Sequence, residues 1–120
     1  MDKKALIREY KENRRPMGVY CIRNTVNGKL LVGKSTDLPS ILNRQQGQLR
    51  SGSHPNPTLQ KDLIEYGAGA FEVEVLDTIE VPDRAGYDPS ADLRTLEQMW
   101  LEKLSPFGNN GYNPEPKRAA

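Results

Sequence analysis

The chain has 120 residues, 36% of them apolar and 28% charged, enough for one globular domain with a single core and too little for a second. No apolar run approaches the length of a membrane span, and Asp2-Lys3-Lys4 leads into only Ala5-Leu6-Ile7, too short for a secretory h-region, so a cytoplasmic protein is expected. The net charge is +1 but segregated: residues 1–61 hold twelve Lys/Arg against four Asp/Glu, and residues 62–120 hold five against twelve.

That split fits an anionic partner on one side, and it equally fits two halves that pair with each other or are simply solvated. In chain order, Leu6, Ile7 and Tyr10 fall at helical spacing among charges, so a short surface helix is predicted over residues 3–13, ended by Arg14-Arg15-Pro16. Met17 to Gly33 reads as two strands joined through Asn27-Gly28, the dipeptide that most readily takes the positive φ of a type I′ turn. A two-residue loop sets Val26 opposite Lys29, Asn24 opposite Leu31 and Ile22 opposite Gly33. Alternation then puts Tyr20, Ile22, Asn24, Leu31 and Gly33 on one face, a phenol beside a bare glycine. Tyr20 is there either as a packing residue with a wet hydroxyl or as a chemical group. Cys21, the single cysteine, can form neither an internal disulfide nor a cysteine-based zinc site, in keeping with a reducing compartment.

Ser35-Thr36-Asp37 offers an N-cap with Pro39 in the first turn, and Leu38, Ile41, Leu42, Gln45 and Leu49 line one face of a helix reaching about Arg50. Gly47 weakens it by roughly 1 kcal/mol relative to alanine, and Gly52 closes it. Asn56-Pro57 repeats the signal for a helix through Leu59, Leu63, Ile64 and Tyr66, terminated by Gly67. Phe71 to Leu76 alternates apolar with acidic, the pattern of a strand covered on one face, which is expected to complete a sheet with the hairpin. An irregular loop over 79–90 leads to a last helix, capped by Asp88 or Ser90 and running to about Leu104. Pro106, Gly108-Asn109-Asn110-Gly111 and two later prolines make the remainder turn and coil, fraying after Pro114. The expected organisation is a helical extension (1–15), one domain (16–114) and a flexible tail (115–120).

The last helix carries an anomaly. On a helical wheel Glu97 falls between Leu104 and Leu101, inside the arc that holds Leu93, Leu96 and Trp100. A carboxylate there needs a cation, a metal or several donors, or it stays protonated. It is either half of a buried ion pair with an arginine, a sheet-edge glutamate that reaches water, or a functional acid. With Tyr20 and a carboxamide such as Asn113 it belongs to the group types that hold a hard cation and an attacking water beside a phosphodiester. Magnesium takes one or two carboxylates plus waters, so one glutamate suffices.

Gly18-Val19-Tyr20 and Leu31-Val32-Gly33, followed in order by Gly52-Ser53-His54, Leu59-Gln60, Tyr66-Gly67, Phe71, Glu97 with Trp100, and Gly111-Tyr112-Asn113, resemble the GIY-YIG nuclease family, most of all the catalytic domain of phage intron-encoded homing endonucleases. The resemblance implies an α+β fold, a three-stranded antiparallel sheet flanked by helices, and hydrolysis of a DNA phosphodiester with one Mg²⁺ or Mn²⁺. It implies that Tyr20 helps activate the attacking water, that Glu97 holds the metal, that Asn113 supports the site, and that His54 matches a histidine found near it. The second-motif tyrosine is Leu31 here, a family arginine that neutralises the transferring phosphate is Ile41, and a usual histidine is Gln45. Removing one electrostatic stabiliser typically costs roughly 100- to 1000-fold in rate, so three losses weaken the site. Arg44, one turn after Ile41, either restores the cation or is a solvated helix residue, and Lys34 beside Gly33 is a second candidate for phosphate contact.

The reading is thus a weakened metal-dependent DNA nuclease. Its alternative is an impaired nuclease-like domain that serves as a nucleic-acid-binding or protein-interaction module. DNA is the expected partner, with no membrane and no organic cofactor.

Overall fold

The computed structural model describes residues 15–80 and 85–116, so the helix expected over 3–13, part of the 79–90 loop and the end of the tail lie outside the described residues. Strand β1 (Gly18–Asn24) pairs antiparallel with β2 (Leu30–Ser35) on one side and β3 (Phe71–Thr78) on the other, giving a three-stranded sheet of order β2-β1-β3. Helices α1 (Leu38–Ser51), α2 (Pro57–Tyr66) and α3 (Ser90–Leu104) complete the α+β architecture. Among the described residues no helix is long and apolar enough to cross a membrane.

Local sequence rules set the helix ends. Asp37 accepts the Ser40 N–H (3.2 Å) at the start of α1, and Gly52 ends it in the left-handed conformation (φ 77°), which an L side chain adopts only under strain. Asn56 accepts the Leu59 N–H (3.0 Å) to start α2. The last helix departs from expectation: its N-cap position is Pro89, without a side-chain cap, so neither Asp88 nor Ser90 caps it, and Asp88 instead accepts the Ser90 N–H (3.0 Å) in the turn before it. Of the apolar residues read into α2, Leu59 and Leu63 are buried while Ile64 and Tyr66 face outward.

The sheet separates two apolar clusters. Ile22, Leu31 and Val73 pack with Leu49 of α1 and with Leu59 and Leu63 of α2. On the opposite face Val19, Cys21 and Val32 pack under Leu96, Trp100, Leu101 and Leu104 of α3. Farther along that face Glu72 and Glu74 lie beside Arg23, at 2.8 and 3.3 Å, which accounts for the acidic half of the β3 alternation.

The hairpin register corrects the two-residue loop. Ile22 stands opposite Leu31 and Tyr20 opposite Gly33, two residues from the expected pairing. The cause is side-chain hydrogen bonding in the turn. Asn24 Oδ1 accepts the Val26 N–H (2.9 Å), Asn27 Oδ1 accepts the Lys29 N–H (3.0 Å), and the Asn24 N–H reaches the Lys29 carbonyl (2.9 Å). The strands therefore close before Val26, and only Gly28 of the pair takes positive φ (78°). A slide of two residues preserves every face, so the expected company of Tyr20, Ile22, Leu31 and Gly33 survives. Its consequence is a direct one: the phenol lies across the glycine.

Candidate active site

Tyr20 sits in the central strand, largely buried, and its ring extends over Gly33 of the neighbouring edge strand. A Cβ on Gly33 would lie 2.6 Å from the Tyr20 hydroxyl oxygen, so the missing side chain is what gives the hydroxyl its place. Burial first, and the negative charge of Glu97 second, push the Tyr20 phenol above its usual value, while the Arg44 guanidinium pulls it back in part. The hydroxyl thus lies within electrostatic reach of an acid on α3 and a base on α1.

Glu97 reaches the same edge from the other face of the sheet. Its side chain is 21% exposed, and Oε1 lies 3.2 Å from Nζ of Lys34, the residue after Gly33. The inward carboxylate of the helical wheel therefore has a cation partner, a lysine where an arginine was the structural alternative. Tyr20 and Glu97 converge on the Gly33-Lys34 dipeptide, with Arg44 exposed on α1 nearby.

Asn113 is placed by the chain after α3, which returns along β2: Leu30 bridges Gly111, and the Tyr112 N–H donates to the Leu30 carbonyl (2.8 Å). The Asn113 carboxamide then acts as one rung of an added strand. Its Oδ1 accepts the Val32 N–H (2.8 Å) and its Nδ2 donates to the Val32 carbonyl (2.9 Å). Both amide groups are engaged by the backbone next to Gly33, so Asn113 fixes the edge that carries the site. Asn113 and Glu97 also line a common groove of about 490 Å³. A groove of about 560 Å³ on the opposite edge, between α1 and β3, contains none of these residues.

His54 is buried, and both ring nitrogens are in use. Nδ1 accepts the Asn56 N–H (3.1 Å) and Nε2 donates to Oε1 of Gln45 (2.7 Å), which fixes one neutral tautomer. Burial holds the ring below its usual value and keeps it neutral. His54 thereby braces the start of α2 against Gln45, the residue after Arg44. Ile41 is half-buried on the same helix.

Sequence reasoning passed over Asp62, a buried carboxylate on α2 that accepts from Tyr112 Oη (2.8 Å) and Asn27 Nδ2 (3.1 Å). The signal was weak: on the wheel Asp62 falls just outside the apolar arc of Tyr66, Leu59, Leu63 and Ile64, whereas Glu97 falls inside that of its own helix. The clamp of Asn113 on Val32 left no such trace.

Among the described residues no three of His, Cys, Asp and Glu gather into a cage for a metal ion. Glu97 opens, together with Glu102, on a groove large enough for water, which fits magnesium, an ion that keeps most of its waters and takes one or two carboxylates.

The three-stranded sheet, its helices and the tyrosine-glycine pair define a nuclease-type fold, and the chain belongs to the GIY-YIG nuclease family. It is 31% identical over 96 residues to intron-associated endonuclease 1 of Enterobacteria phage T4, an alignment covering 80% of this chain and 36% of that protein. The chain thus spans about a third of the length of the curated relative it matches. Among solved structures it is similar to the catalytic domain of the homing endonuclease I-TevI, with 30% identity and a TM-score of 0.64 over 83% of this chain and 99% of that one. A mutant of the I-TevI catalytic domain gives 28% identity and a TM-score of 0.63, covering 82% of this chain and 92% of that one. No protein-family model matches the chain.

Proposed function

We propose that this domain hydrolyses phosphodiester bonds of DNA with one Mg²⁺ or Mn²⁺ ion held by Glu97. The observation that carries the reading is the convergence of Tyr20 and Glu97 on Gly33-Lys34, with the charge of Glu97 felt at the phenol. When bound, the metal supplies Lewis-acid polarisation of a phosphate oxygen and offsets the carboxylate charge beside Tyr20.

The protein's own groups do the rest. Tyr20, in its phenolate form, takes the proton of a water whose oxygen bonds to phosphorus as the bond to the leaving strand breaks. Arg44 favours that phenolate and meets the negative charge of the phosphate being cleaved. Gly33 leaves the Tyr20 hydroxyl its place at the strand edge. Asn113 and His54 act as positioning residues, the first through Val32 and the second through Gln45.

A second reading rests on Leu31 and Ile41, which bring neither a hydroxyl nor a guanidinium to positions where the resemblance calls for them. In it the site is impaired and the domain binds nucleic acid or a protein partner. Nicking of supercoiled plasmid in Mg²⁺, in Mn²⁺ and in chelator, run beside Glu97→Ala, decides between them. Metal-dependent nicking that Glu97→Ala removes supports the nuclease. Equal background from the two proteins ends that reading, and salt-dependent retention on DNA then identifies the binding module.

A further inference from the structure

Lys34 belongs to two features at once. It holds Glu97 through the 3.2 Å ion pair, and it also lines a separate groove of about 380 Å³ with Ser35, Thr36, Ser90, Leu93 and Arg94. Arg94 precedes Glu97 by three residues on α3, so groove and carboxylate are neighbours along one flank of that helix.

The groove has the chemistry of an anion site. It holds two cationic side chains, one able to act as a point charge and one as a planar fork. Ser35 Oγ accepts the Asp37 N–H (2.9 Å), which leaves its own proton available to donate. The carboxylates nearest in sequence each have partners. Asp37 caps Ser40 (3.2 Å) and pairs with Arg15 (3.4 Å), Asp92 accepts the Tyr87 hydroxyl, and Asp88 accepts both the N–H and the hydroxyl of Ser90 (3.0 and 2.7 Å) at the rim, where it also feels the charge of Arg94.

From this arrangement we infer that Lys34 and Arg94 form a subsite for a second phosphate of the DNA strand, and that Lys34 is delivered to it when a metal ion takes Glu97. The inference rests on the nuclease reading and adds to it a coupling: the ammonium and the metal compete for one carboxylate. A 43% exposed lysine gives up such a pair readily, because a partly exposed ion pair is worth only about 1 kcal/mol, or about five-fold in an equilibrium constant. By linkage, metal binding then strengthens DNA binding and DNA strengthens metal binding by the same factor.

Two measurements on the full chain test this. Mn²⁺ binding without DNA, followed by electron paramagnetic resonance, is expected to tighten about five-fold in Lys34→Ala and to be lost in Glu97→Ala. Duplex binding, followed by fluorescence anisotropy against salt in a Tyr20→Phe background that stops turnover, is expected to lose about one unit of salt slope in Arg94→Ala, with or without Mn²⁺. Lys34→Ala is expected to lose about one unit only when Mn²⁺ is present, since without metal the ammonium is held by Glu97. Circular dichroism melts confirm that each variant is folded.

Unchanged or weaker Mn²⁺ binding in Lys34→Ala overturns the inference, as does a wild-type salt slope in Arg94→Ala. If these occur while the parent binds Mn²⁺ through Glu97, the nuclease reading stands and only the subsite falls. If the parent binds neither Mn²⁺ nor DNA, both fall together.

Discussion

The two ends of β2 carry polar clusters built on opposite plans. At the hairpin end, Asn24 Nδ2 donates to Tyr112 Oη (3.1 Å), Tyr112 Oη donates to Asp62 (2.8 Å), and Asn27 Nδ2 donates to the same carboxylate oxygen (3.1 Å). Asn24, Asp62 and Tyr112 are all buried, and the closed set joins the turn, α2 and the returning tail. At the other end, Tyr20, Lys34, Arg44 and Glu97 are held by one ion pair and by longer-range charge. A closed network of neutral donors around one acid is costly to disturb and fixes the fold. A half-exposed set of charges can trade partners, and that freedom is what a substrate or an ion requires.

Substitutions at the two ends should therefore separate activity from stability. Tyr20→Phe is expected to lower metal-dependent nicking by about 100- to 10,000-fold, the range for removing a group that moves a proton, with little change in the thermal melt. Gly33→Ala comes next. Its new Cβ meets the buried Tyr20 ring at Oη, Cζ and Cε1, so the ring must shift and nicking should fall about 100-fold from a displaced hydroxyl, with a smaller effect on the melt.

Tyr112→Phe tests the opposite pole. It leaves Asp62 and Asn24 without their shared partner and should cost roughly 1–3 kcal/mol in denaturant unfolding, with the rate per folded molecule preserved. The smallest effect belongs to His54. The unfolded chain takes up its proton near the ordinary value of 6.5, while burial makes the folded ring do so only at lower pH. Stability should fall as pH drops through 6.5 and level off once the folded ring is also charged; melts from about pH 8 to about pH 5 should show this, and His54→Gln should flatten it.

The same contrast explains what the sequence made legible. Helix limits at Asp37, Gly52 and Asn56 follow from neighbours three or four residues away, and the wheel position of Glu97 follows from one helix. These are local rules, and they hold. The hairpin register moved by two because the side chains of Asn24 and Asn27 close the turn themselves, which an Asn-Gly pair read as backbone alone does not reveal. Asn113 on Val32 and Tyr112 on Asp62 join residues 81 and 50 apart, and Gln45 on His54 joins two elements through an irregular loop. Such pairings exist only after the chain has come together. For Lys34 the sequence offered a cation beside a glycine; that it would hold the one inward acid of α3 is a fact of the sheet edge.

The account rests on Glu97 being the place where a divalent ion meets the phenol of Tyr20. Crystals of Tyr20→Phe grown with a DNA duplex and Mn²⁺, measured for anomalous scattering at the manganese edge, test it most directly. A single peak about 2.1 Å from a Glu97 carboxylate oxygen is the predicted result. An empty Glu97 with manganese elsewhere, or with Lys34 still paired to it while DNA is bound, would contradict the account.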